Sequence, residues 1–126
     1  MPRAQDIYKQ NAKPMVYEES SLKDVIIEIS KGRLGATAVV EKNNSLKGVI
    51  TDGDVRRMLE KTNDVTSIKA KDIYNTNPKQ SEAGLLAVEA FELLKQFDIS
   101  QLIVTDTDGI YLGILHLHDL IREGII

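Results

Sequence analysis

The chain has 126 residues, a net charge of −3, 42% apolar and 28% charged residues, and no cysteine. One globular unit is expected, because a domain near 60 residues buries only about 60% of its unfolded surface and is marginal alone. The balance excludes a basic nucleic-acid footprint, disulfides and thiolate metal centres, and no apolar run nears the ~18 residues of a membrane helix.

Ala4 to Asn11 reads as a short leading helix or turn. Lys13-Pro14 then imposes extended backbone, since proline disfavours the helical region for the residue before it. Met15-Val16-Tyr17 is a short strand candidate. Ser20 and Ser21 suit a helix N-cap, and Ser21 with Asp24 resembles a capping box. The following helix sets Leu22, Val25, Ile26 and Ile29 on one face and ends near Gly32. Ala36 to Val40 predicts a buried strand, and Leu46 to Thr51 returns across the turn residues Lys42-Asn43-Asn44-Ser45 as a hairpin. A helix from about Asp54 to Lys61 turns Val55, Met58 and Leu59 inward.

Residues 62–69 form a polar linker, and the same order then recurs. A leading helix from Ala70 precedes Asn77-Pro78 and a helix from Leu85 to Phe97. Strand Gln101 to Thr105 is followed by the turn Asp106-Thr107-Asp108-Gly109, strand Tyr111 to His116 and a closing helix from Asp119 to Glu123. The recurrence is close to literal: Ala4-Gln5-Asp6-Ile7-Tyr8 returns as Ala70-Lys71-Asp72-Ile73-Tyr74, and Gly48 to Asp54 as Gly113 to Asp119. The offset is 66 early and 65 later, so the first unit holds one extra residue between its leading and main helices. The expected fold class is α+β (mixed α/β), with two βαββα repeats, 1–61 and 70–126. They should share a core, pack about a pseudo-two-fold axis and face each other across a cleft. The start, almost directly on a repeated segment, suggests a piece of a longer chain, and a soluble, cytoplasmic protein is expected.

Gly48-x-x-Thr51-x-x-Asp54 lies where a strand feeds a helix. The helix N-terminus suits a phosphate, Thr51 adds a hydroxyl, and Asp54 can accept from both hydroxyls of a ribose. The same spacing is also a capping box that merely holds the helix end. Gly48 would let a ligand or a neighbouring backbone come close. Arg33 and the pair Arg56-Arg57 are cationic candidates for an anion, with Arg122 at the place of Arg57, or are solvated surface charges. His116 and His118 point the same way if the strand continues through them, which leaves three uses open: lining a ligand, joining the halves, or a structural role. A metal would need a third ligand, and none is evident, even if Asp52 and Asp54 were to reach across. Asp106-x-Asp108-Gly109 places Leu117 at the twelfth position, where a calcium loop needs glutamate. No nucleophile elbow, P-loop or dinucleotide fingerprint is present, and the chain reads as a binder requiring no cofactor.

The duplicated βαββα unit with Gly-x-x-Thr-x-x-Asp resembles a tandem CBS-domain pair, or Bateman module, over essentially the whole chain. More narrowly, Thr51 to Arg57 and Gly113 to Ile125 resemble the C-terminal region of arabinose-5-phosphate isomerases, enzymes of Kdo synthesis for lipopolysaccharide or capsule. The resemblance implies nucleotide-type ligands in clefts between the halves. Thr51 would contact phosphate and Asp54 ribose, while Thr37 and the segment after Pro14 would flank the base. In the second unit His116 replaces the usual Ser or Thr, and Asp119 is retained. The resemblance further implies a catalytic sugar-isomerase (SIS) domain N-terminal to this region, a homodimer or homotetramer, and no catalysis by the fragment. CMP-Kdo or an adenine or cytidine nucleotide would be the ligand, with Arg33 and Arg57 meeting its phosphate or carboxylate. The competing reading is an oligomerisation module without a physiological ligand.

Overall fold

In the computed structural model, which describes residues 2–125, each strand with predicted bounds forms over those residues. The order is α1 (Ala4–Tyr8), β1 (Met15–Tyr17), α2 (Leu22–Gly32), β2 (Ala36–Val40), β3 (Leu46–Thr51) and α3 (Asp52–Lys61). A short 3-10 turn, Ala70–Asp72, then stands where a second leading helix was expected. It is followed by β4 (Gln80–Glu82), α4 (Ala87–Phe97), β5 (Gln101–Thr105), β6 (Tyr111–His116) and α5 (Leu117–Arg122). Each repeat builds a three-stranded sheet, β1-β2-β3 or β4-β5-β6, with one parallel and one antiparallel pairing. The registers match: Ala36 faces Thr51 as Gln101 faces His116, and both hairpins shift register one residue after the strand centre, at Val39/Val40 and Val104/Thr105.

Capping fixes the helix starts. The Ser21 hydroxyl accepts from Asp24 N at 3.1 Å, and α2 closes at Arg33 in left-handed backbone (φ 59°). Thr51 and His116 are themselves N-caps, so α3 and α5 begin at Asp52 and Leu117, two residues before the expected starts. Conversely, α4 begins at Ala87, because the Leu86 N–H is taken by the Glu89 carboxylate.

The halves share a core as expected, in three parts. Val16, Val25, Ile29, Val39 and Ile50 pack under the helices of the first sheet, and Ala90, Leu94, Leu102, Val104 and Leu115 under those of the second. Between the two sheets lie Ala36, Ala38, Val40, Ile103, Tyr111 and Ile114. Alternate strand residues point to opposite faces, which is how β2 serves two of these layers. Ile26 and Leu59, expected inward, are 39% and 44% exposed. The apolar stripes of α2 and α3 are wider than the sheet they cover, and the surplus borders an open groove of about 500 Å³ with Ile27 and Val65.

The leading segments cross over. Residues 3–8 open the first repeat yet pack on the second: Arg3 bridges Leu86, Ala4 N donates to Leu85 O, and Ile7 and Tyr8 enter the second core. Reciprocally, Lys69 bridges Ser21, Ala70 N donates to Ser20 O, and Ile68 and Ala70 enter the first core. The pseudo-two-fold relation is therefore an exchange of straps. Two lysines clamp one strap, with Lys69 and Lys71 each 2.8 Å from the Glu19 carboxylate and holding its pKa down at about 2.

Candidate functional site

The two glycines of the repeated motif explain why the straps fit. A side chain on Gly48 would overlap the carbonyl oxygen of Asn75 and the ring of Tyr74. One on Gly113 would meet the Tyr8 ring at 2.6 Å, and Tyr8 is the repeat equivalent of Tyr74. Gly48 thus admits a neighbouring backbone, the second of its two sequence readings: Val49 and Asn75 exchange both backbone hydrogen bonds.

Three residues downstream each motif folds into a cap. Thr51 N donates to Asp54 Oδ2 at 2.9 Å, and Asp54 N donates back to the Thr51 hydroxyl at 3.3 Å. Arg57 curls over the turn and donates to Asp54 Oδ1 at 2.6 Å. In the second repeat His116 N donates to Asp119 Oδ2 and Arg122 to Asp119 Oδ1, both at 2.8 Å. His116 caps through its ring instead of a hydroxyl: His118 N donates to Nδ1 at 3.0 Å. An imidazole accepting at Nδ1 must be neutral or lose that bond. Burial, then the neighbouring His118, hold the His116 pKa below its usual value, against the pull of Asp119.

The caps differ in what they leave free. The Asp54 side chain keeps 22% of its exposure and lines a recess of about 200 Å³ with Arg57, Lys61 and Asp72. The Asp119 side chain keeps 4%, because Asn11 adds a third partner: its amide donates to Asp119 Oδ2 at 2.8 Å and to Ile114 O at 2.9 Å.

The remaining candidates scatter. Arg33 is exposed beside the loop whose Gly35 carbonyl accepts from Asp52 N, near the first turn of α3. Arg56 lies with Asp52 and Leu59 along a different groove from the recess of Arg57. Thr37 is fully shielded from solvent, its hydroxyl turned to Ala38 O and its strand position shared with Val39 on the helix-covered face. β6 stops at His116, so the two histidines do not continue one strand; their rings sit tilted with centroids 4.5 Å apart. Among the described residues no group of three His, Asp or Glu could hold a metal ion. Asn11, Lys61 and Asp72 escaped the sequence reading. For Asp72 a signal existed, since it is part of the repeated Ala-x-Asp-Ile-Tyr segment.

The CBS domain family model matches residues 5–61 and 70–125. The chain belongs to the CBS-domain family. This CBS pair is 35% identical over 113 residues to arabinose 5-phosphate isomerase KdsD of Escherichia coli (strain K12), an alignment covering 90% of the chain and 34% of that protein. The chain thus spans about a third of the length of that relative. Among solved structures, CBS domain protein PAE2072 from Pyrobaculum aerophilum, complexed with AMP, matches with TM-score 0.82 at 21% identity, covering 94% of this chain and 89% of that one. CBSX2, a CBS-pair protein of Arabidopsis thaliana, matches in its AMP complex with TM-score 0.80 at 19% identity, covering 99% and 97%. These likenesses carry the fold. No helix among the described residues is long and apolar enough to cross a membrane.

Proposed function

We propose that this CBS pair is the regulatory module of an arabinose-5-phosphate isomerase, sensing a nucleotide or nucleotide sugar through the Thr51–Asp54 cap. The observation that carries this reading is spare capacity at that cap. The Thr51 hydroxyl accepts from Asp54 N, yet its own proton remains free to donate to a phosphate. A carboxylate has about four acceptor positions, and Asp54 uses one for Thr51 N and one for Arg57, which leaves acceptors for a ribose diol. Arg57, 60% exposed, can turn from Asp54 to an incoming anion, with α3 presenting its positive dipole end. Arg33, exposed at the end of α2, would add positive charge. His116 and Asp119 contribute the second, more enclosed cap, and Thr37, buried in β2 with its hydroxyl donating to Ala38 O, would brace the sheet without touching the ligand.

The ligand class follows from relatives that bind AMP and from the isomerase kinship; CMP-Kdo, at the end of Kdo synthesis for lipopolysaccharide or capsule, is the feedback candidate. Catalysis would reside in an SIS domain of the parent protein, in the cytoplasm. Repeats 1–61 and 70–126, joined by 62–69, would then be sensor only. Thermal-shift measurements with AMP, ATP, CMP and CMP-Kdo test this. Ligand at 100 times its dissociation constant adds about 2.7 kcal/mol of stability. No shift with any of the four at millimolar concentration overturns the sensor reading.

The apolar groove along Ile26, Ile27, Leu59 and Val65 favours a second reading, in which the pair chiefly joins copies of the chain into a homodimer or homotetramer. Light scattering separates the two: a stable oligomer unaffected by the four ligands, without binding, supports the second alone.

A further inference from the structure

The carboxylates of Asp54 and Asp119 sit at equivalent caps and differ by one partner, the carboxamide of Asn11. Three donors converge on Asp119: His116 N and Asn11 Nδ2 on Oδ2, and Arg122 on Oδ1. Asn11 also takes the Ile114 carbonyl, so it covers adjacent acceptors on the cap and on β6. Among the described residues no equivalent amide covers Asp54. At Asn77, the repeat equivalent of Asn11, the backbone N–H donates to the Asn75 side-chain oxygen at 3.0 Å. The difference has a source in chain length: Tyr8 to Met15 contains one residue more than Tyr74 to Gln80, and that slack lets Asn11 reach the cap.

We infer that Asn11 closes the second cleft and thereby limits this CBS pair to one ligand per chain, bound at Asp54. The inference rests on the sensor reading of the first cap. Asn11 is a tethered competitor: its amide meets the acceptors a ligand hydroxyl would need, at the high effective concentration that a short connection confers. A ligand that reaches Asp119 must first displace it.

Calorimetric stoichiometry and amide chemical-shift mapping with AMP, CMP and CMP-Kdo, on the chain and on Asn11→Ala, test the inference. The native chain takes one equivalent, with shifts confined to Thr51–Lys61 and Asp72–Ile73. Asn11→Ala gains a second equivalent, with new shifts at His116–Arg122. Shifts at His116–Arg122 already in the native chain overturn the inference, as does an Asn11→Ala stoichiometry equal to native. If the native chain binds none of the three, the sensor reading fails. A first equivalent gained by Asn11→Ala at His116–Arg122 would still sustain the closure, and no gain would end both. Asn11→Ser, which keeps a polar side chain too short to span both acceptors, repeats the comparison should Asn11→Ala fold poorly.

Discussion

The first repeat ends its sheet in a cap that faces solvent, and the second ends an equivalent sheet in a cap sealed by its neighbour. Register and bulge are the same in both sheets, so the sheets do not decide what each end can do. A hydroxyl in place of an imidazole and one carboxamide from the opposite strap decide it. Duplicated architecture here supplies two positions and lets side chains assign them different work.

The largest test of that contrast is deletion of the two carboxylates. Asp119→Ala strips three donors of their acceptor in a site with almost no water access and should cost about 3 kcal/mol in urea unfolding. Asp54→Ala, at the more open cap, should cost about 1 kcal/mol. Equal costs would mean that burial does not distinguish the caps. Next come the glycines. Gly48→Ala drives a methyl into the Asn75 backbone, which cannot step aside, and should lose about 2 kcal/mol by calorimetry. Gly113→Ala meets the Tyr8 ring instead, which can tilt, and about 1 kcal/mol is expected.

A smaller effect of opposite sign is expected in β4. The Ser81 hydroxyl is buried without a hydrogen-bond partner, at the place where the first repeat has Val16. Ser81→Val should therefore stabilise the chain by about 1 kcal/mol, read as a higher midpoint in guanidinium. The smallest difference is the pH response of the second cap. With its folded pKa lowered, His116 contributes stability above the ordinary value of about 6.5 that is lost as pH falls through it to the folded pKa. His116→Thr, which copies Thr51, should flatten the acid limb of a stability–pH profile. An unchanged limb would assign the acid sensitivity to other groups.

Much of the fold was legible because its signals are local. β-Branched runs, turn residues and the repeat itself placed five strands at their observed bounds, and the Ser21–Asp24 capping pair marked where α2 begins. Periodicity also marked Ile26 and Leu59 as core, and there it failed. The period finds an apolar stripe but not the width of the sheet beneath it. The site was legible only in part. Thr51, Asp54 and Asp119 were visible as motif members, with Arg57 and Arg122 following at fixed spacing. Asn11 was not, because it lies 108 positions from the carboxylate it meets and has no pattern of its own. The strap exchange was hidden for the same reason: each strap pairs with residues that the repeat assigns to the other unit.

That exchange puts the unit written in the sequence out of phase with the unit that folds. Residues 15–61 are completed by 68–75, and 80–125 by 3–14, so no single cut yields two self-sufficient halves. Cleavage in the exposed connection near Asn63 would leave two fragments, each carrying the piece its counterpart needs. Mixed together, they should reassemble as an obligate pair. A gene split at that point would encode a two-part reporter, in which neither product is structured until the other is made.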